Sequence, residues 1–163
     1  MLKRAIEADI EKYLLSEDFK TFYIWGPRRS GKTTILKQLA KKLNFPVFNF
    51  DYLSERTRFV PDRSILEKLA KDYKVILIDE VQNYPEATVV LKILYDEFRV
   101  KVIATGSSEL RQKGNNFDSQ AGRYTEHYCL PLSLSEIKAN NKILSSDEQG
   151  FDKDLLEYLQ IMG

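Results

Sequence analysis

The sequence contains one cysteine, Cys129, so it can form no internal disulfide, and a reducing, cytoplasmic setting is the expectation. Long apolar runs are missing as well. A membrane-spanning helix needs roughly 18 apolar residues in succession, and no segment approaches that. The opening MLKRAIEADIEKYLL has acids spaced through it and reads as neither a secretory signal nor a span, so no membrane partner is expected. Internal repeats and low-complexity tracts are absent too. Charge of one sign is not dominant, since the formal net charge is only +1. A dense basic stripe of the kind that tracks nucleic acid is lacking, although a nucleic-acid or protein target stays open. His127 and Cys129 lie two apart, but no second such pair exists to complete a metal site, so core packing is their reading.

What is present suits one globular domain of 163 residues, 43% hydrophobic and 30% charged. The near-neutral sum hides a gradient. Residues 1–50 carry ten Lys or Arg against five Asp or Glu, whereas each later stretch is slightly acidic. A phosphate ligand in the first third explains that excess as well as a nucleic acid does.

Strand-like and helix-like segments alternate along the chain. Ala5, Ile6, Ile10, Tyr13 and Leu14 recur at helical spacing. Thr21–Trp25 is a short apolar run stopped by Gly26-Pro27, a buried strand feeding a turn. A helix is expected over 34–43, a second strand over 46–50, and a polar, irregular stretch over 51–62. A helix follows over 64–71, with Ile65, Leu66 and Leu69 turned inward. Val75–Ile78 is apolar on both faces, as a central parallel strand is. Pro85 opens a helix to about Phe98, and Val100–Ala104 forms the fourth strand. A loop covers 109–122, a fifth strand runs from Tyr124 to Leu130, and two helical segments close the chain. The pattern predicts an α/β fold, a mostly parallel five-stranded sheet with helices on both faces.

Gly26-Pro27-Arg28-Arg29-Ser30-Gly31-Lys32-Thr33 fits G-x-x-x-x-G-K-[ST] without a gap, followed by Thr34. Four residues between the glycines let the backbone wrap a phosphate so that successive N–H groups converge on its oxygens. Gly31 permits the close approach, Lys32 reaches the β- and γ-phosphates, and Thr33 offers a hydroxyl to Mg²⁺. The helix that follows directs its positive end at the same phosphates. A chance match arises in under about 1% of chains this long. The flanking strand and helix are the context the motif requires. Arg28 and Arg29 either touch the nucleotide or are solvated.

Asp79 and Glu80 end the third strand, where a parallel sheet opens onto its ligand crevice. Asp79 is read as the Mg²⁺ holder and Glu80 as the base that polarises the attacking water. One strand is expected between the P-loop strand and this one. That order, with the extra glutamate, separates hydrolysing ATPases from P-loop kinases, which must keep water from the γ-phosphate. The fourth strand ends in Thr105-Gly106-Ser107-Ser108, and Ser107 is favoured over Thr105 as a sensor of the γ-phosphate.

The segments GPRRSGKTT, LIDEVQNYPEATVVLKILYDE, TGSS and AGRYTEHYCLPLSLSEI resemble, in order, the core of a group of prokaryotic AAA+-like ATPases that carry a C-terminal domain of uncharacterised function. The resemblance runs from about Thr21 to the end. It implies ATP and Mg²⁺ as ligands, Glu80 as catalytic glutamate, and Ser107 as the polar sensor. It also implies that Arg123 enters a neighbouring subunit's site and supports self-association; the alternative is a surface arginine paired with Glu126 or Asp118. In that group a helical lid continues where Glu157–Gly163 stands, so these residues are expected to be the N-terminal core of a longer protein. The expected function is an ATP-hydrolysing switch or motor core. A non-hydrolysing, nucleotide-gated interaction module and a small P-loop kinase are the alternatives.

Overall fold

The computed structural model describes residues 4–108 and 120–138. Helix α1 (Ile6–Leu15) leads into β1 (Thr21–Gly26), and α2 (Lys32–Leu43) into β2 (Val47–Asn49). After a short helix, α3 (Leu53–Arg56), and a 3₁₀ turn at Thr57–Phe59, α4 (Arg63–Asp72) leads into β3 (Val75–Asp79). A second 3₁₀ turn, Val81–Asn83, precedes α5 (Ala87–Ile93), which runs on as a wider turn over Leu94–Phe98. The chain then forms β4 (Lys101–Ser107) and β5 (Tyr124–Tyr128). Residues 109–119 of the loop expected over 109–122, and the part of the closing helical segments beyond 138, Glu157–Gly163 among it, lie outside the described residues. Among the described residues no helix is long and apolar enough to cross a membrane.

All five strands are parallel, in the order β2-β3-β4-β1-β5. The P-loop strand is thus internal, and β4 separates it from the Asp79 strand, as expected. Alternation along the strands splits the core in two. Phe22 and Ile24 of β1, Leu77 of β3 and Ile103 of β4 pack with Ile6, Ile10 and Tyr13 of α1 and with Ile35, Leu36 and Leu39 of α2. Tyr23 and Trp25, Ile76 and Ile78, and Val102 and Ala104 face the other way, onto Leu66, Leu69, Val90 and Leu91 of α4 and α5. The helix over β1→β2 covers one face and those over β2→β3 and β3→β4 the other, which right-handed crossovers require when the strand order reverses. The reversal leaves the C-terminal ends of β1, β3 and β4 at one crevice.

Four local expectations change, the first being that β4, expected to end at Ala104, runs on through Ser107. Residues 51–62 are not irregular: Phe59 is wholly buried, edge-on to Phe48 and Phe50 at 4.9 and 5.0 Å, and pulls the segment into α3 and its turn. Ile65 is 40% exposed rather than inward, because the face of α4 centred on Leu66, Leu69 and Ala70 lies about a quarter-turn round the helix from it. The fifth strand ends at Tyr128 instead of Leu130, and Leu130 is exposed ahead of Pro131.

Gly26 shows how closely β5 packs on the P-loop strand. A Cβ there would stand 2.1 Å from the Cys129 carbonyl oxygen, a backbone atom that cannot swing aside. Gly26→Ala is therefore expected to cost about 1–3 kcal/mol or more through overpacking, read as a lower urea midpoint. An unchanged midpoint would show that β5 does not press on the loop.

Candidate functional site

The chain leaves β1 at Gly26, turns through Arg29 in a left-handed conformation (φ 62°) and enters α2 from Gly31 (φ 93°). The latter angle suits glycine and strains other residues. The first N–H groups of α2 have no carbonyl in a preceding turn to bond, so they face the crevice with unspent donor capacity. Lys32 is buried, and its Nζ donates to the carbonyls of Gly26 (2.8 Å) and Pro27 (2.6 Å) and to Ser30 Oγ (3.3 Å). The ammonium is thereby held inside the curve of its own loop.

Asp79, 3% exposed, sits beneath α2 at the end of β3. Its Oδ2 accepts from the Thr33 hydroxyl at 2.8 Å, and its Oδ1 accepts from the Thr105 hydroxyl and, at 3.1 Å, from the N–H of Glu80. Three donors from three elements thus stabilise a buried carboxylate that would otherwise be costly. Thr105 is wholly buried, so it supports Asp79 and does not open onto the crevice.

Beyond Asp79 the chain must turn sharply to place Val81 in the core, and Glu80 takes the left-handed conformation (φ 55°) to do so. Such a backbone costs a residue with a side chain about 1–3 kcal/mol. The turn carries the Glu80 side chain into a cavity of about 490 Å³ lined by residues from the P-loop, α2, Glu80, Gln82 and Ser107. Ser107 is 2% exposed, lines this cavity, and its Oγ has no hydrogen-bond partner among the described residues.

Most of the residues read from the sequence therefore converge. Arg28, Arg29, Gly31, Lys32, Thr33, Thr34, Glu80 and Ser107 line one cavity; Gly26, Pro27 and Ser30 hold Lys32 behind it, and Asp79 holds Thr33 from below. Arg28, Arg29 and Thr34 are exposed at the rim. Arg123 stands apart. Its carbonyl accepts from Thr21 N at the opening of β1, the edge of the sheet away from the cavity, and its Nε donates to Asp96 Oδ1 at 2.9 Å. Hydrogen bonding to Asp96 raises the guanidinium pKa further.

Two groups of residues were not found from the sequence. Gln82, Asp51 and Asn83 complete the lining, and Asn83 Nδ2 donates to Asp51 Oδ1 across the mouth. Behind the loop, Arg4 donates to the Ser30 carbonyl (3.0 Å), to the Leu130 carbonyl and to Glu136 Oε1 (3.3 Å). Cys129 Sγ donates to the same Ser30 carbonyl at 3.3 Å. Gln82 had a signal in its position two after Glu80. Arg4 had none, being 26 residues from the carbonyl it holds. His127 stacks on Phe22, ring centroids 3.8 Å apart.

The sequence profile of the AAA domain family matches residues 18–138. An uncharacterised protein of Methanocaldococcus jannaschii is 28% identical over 161 residues, 88% of this chain and 33% of its own length. The replication factor C large subunit of Pyrococcus abyssi is 33% identical over 90 residues, 52% of this chain and 19% of its own. Among solved structures, the Walker-type ATPase of Pyrococcus abyssi superposes with a TM-score of 0.61 at 15% identity, over 94% of this chain and 62% of that one. AMPPCP-bound DnaA from Aquifex aeolicus gives 0.57 at 17% identity, over 97% and 59%. The chain thus spans a third or less of the length of these curated relatives, and the structural likeness is one of fold.

Glu136 tests the brace behind the loop. Burial opposes its charge, but the N–H groups of Ala5 and Ser133, together with Arg4 and the Ser133 hydroxyl, hold the carboxyl below its ordinary range. With the folded value depressed, the stabilisation is complete above the unfolded value near 4.5 and is lost as pH falls through the folded one. Glu136→Gln should therefore lower stability by about 1–3 kcal/mol at neutral pH. Urea midpoints should converge with wild type in stronger acid; a constant gap across that range would refute the assignment.

Proposed function

Because the chain belongs to the AAA domain family, we propose that it is an ATP-binding, Mg²⁺-dependent ATPase core that acts as a nucleotide switch or motor in the cytoplasm. The single observation that carries this reading is the 2.8 Å hydrogen bond between Thr33 and Asp79, set beside Glu80 and Ser107 at the edge of the cavity that Lys32 serves. A hydroxyl and a carboxylate are hard oxygen donors, the type Mg²⁺ prefers, so Thr33 and Asp79 fit the ion. When bound, Mg²⁺ draws charge from the β- and γ-phosphate oxygens.

The remaining work falls to the chain's own side chains. Lys32 exchanges its loop carbonyls for phosphate oxygens, while the first N–H groups of α2 converge on the same oxygens. Arg28 and Arg29 supply positive charge at the rim. Glu80 accepts a proton from a water whose oxygen attacks the γ-phosphorus; the bond from that phosphorus to the β-bridging oxygen breaks, and ADP leaves with both bonding electrons. Ser107 offers its hydroxyl to the γ-phosphate. Release of free phosphate without an acceptor separates this reading from a P-loop kinase and from a module that only binds.

Arg123 is assigned to a neighbour's site. Its pairing with Asp96 is a water-exposed ion pair of the weak kind, which a phosphate readily outcompetes.

Mg-ATP at about 1,000 times its Kd should add roughly 4 kcal/mol of stability, and Lys32→Ala should abolish most of the resulting rise in Tm. No rise in nucleotide-free protein would defeat the proposal. Glu80→Gln should keep that rise and lose phosphate release, because it removes the base and little of the cradle. Turnover per molecule should climb across a hundredfold range of protein concentration and flatten in Arg123→Ala. Flat profiles in both proteins would leave Arg123 a surface residue paired with Asp96.

A further inference from the structure

Gln82 lies between the two groups that the proposed reaction needs to act together. Its Nε2 donates to Glu80 Oε2 at 2.5 Å, and its Oε1 accepts from the backbone N–H of Ser107 at 3.3 Å. Only one orientation of the amide satisfies both neighbours, since a carboxylate cannot donate and a backbone N–H cannot accept. The side chain therefore has a direction: its donor faces the base and its acceptor faces the end of β4.

The surroundings are fitted to that bridge. Gly106 leaves the necessary space, since a Cβ there would stand 2.7 Å from Gln82 Oε1 and 2.5 Å from Trp25 Cζ3. Val81 is wholly buried and Tyr84 packs against the same core, so the turn that carries Gln82 is anchored on both sides. Ser107 belongs to the cavity lining, its buried hydroxyl has no partner among the described residues, and its own N–H is committed to Gln82. A ligand oxygen that engages this hydroxyl pulls on the residue whose N–H holds Gln82. A small displacement of Ser107 is thus passed to the amide, and from there to the carboxylate.

We propose that Gln82 is a positioning residue that couples occupation of the γ-phosphate position at Ser107 to the orientation of the Glu80 carboxylate. It touches neither phosphate nor water in this role. Its N–H occupies one carboxylate oxygen and leaves the other as the acceptor for the proton of the attacking water. This rests on the ATPase reading for Glu80 and Ser107. The role predicts a loss in kcat with little change in nucleotide affinity, since Gln82 adds nothing to the P-loop cradle.

The test compares wild type with Gln82→Met, which keeps the length of the side chain and removes both hydrogen bonds. Phosphate release in Gln82→Met should fall tenfold or more, while the Kd for Mg-AMPPNP stays within threefold. Gln82→Met should add little further loss to Ser107→Ala, because the two act through one link. Independently of turnover, the Gln82 side-chain amide pair, assigned in ¹⁵N–¹H spectra by its loss in Gln82→Met, should shift when Mg-AMPPNP saturates wild type. It should shift far less when Mg-ADP does. Unchanged kcat in Gln82→Met, multiplying losses in the double variant, or identical spectra with the two nucleotides would each overturn the coupling. Wild-type protein that binds Mg-AMPPNP but releases no phosphate from ATP would instead overturn the hydrolytic function, and the spectra would still decide whether Gln82 responds to the γ-phosphate.

Discussion

The buried carboxylate of Asp79 is the constraint around which the site is organised. A charge 3% exposed at the end of a central strand persists only if donors reach it, and here they come from Thr33 of α2, Thr105 of β4 and the N–H of Glu80. Those bonds fix the height of α2 above the sheet and hold the ends of β3 and β4 level. The P-loop is consequently positioned against the acids by the same carboxylate that is proposed to hold Mg²⁺. Support of the fold and preparation for ligand are one set of contacts at this point.

A second set of contacts acts from behind. The Ser30 carbonyl is held by Arg4 and Cys129, Arg4 is held by Glu136, and Gly26 lets the Cys129 carbonyl approach. The segment before α1, the end of β5 and the helical turn at 134–138 therefore all bear on the loop that carries the phosphate chemistry. A movement of either flank would be felt at the P-loop carbonyls before it reached any nucleotide.

The strain at Glu80 belongs to the same economy of contacts. Burying Val81 requires a sharp turn, the turn forces a left-handed glutamate, and the left-handed backbone carries the carboxylate into the cavity beside Gln82. Core packing thus sets the placement of the proposed base. Arg123, by contrast, is held by an exposed aspartate at the opposite edge of the sheet and does not line the cavity.

The amino-acid order alone determined the parallel sheet, the position of the P-loop and the identity of the acids behind it. These features depend on short-range physics: apolar runs that end in turns, helical spacing, and a glycine-lysine-threonine spacing that only a phosphate cradle explains. The same local logic failed where one residue answered to distant ones. Phe59 ordered a polar stretch because Phe48 and Phe50 lay above it, and Ile65 was left at the margin of a helix face whose direction the sheet decides. Thr105 and Ser107, expected in one hydroxyl-rich turn, both fall on the same side of β4 and are separated by their height along it: Thr105 is level with Ile24 and bonds Asp79, and Ser107 is level with Gly26 at the cavity. Arg4 and Gln82 acquired their partners through tertiary structure alone, because a hydrogen bond needs two groups within about 3 Å and the chain gives no local sign of which remote carbonyl or carboxylate will be there.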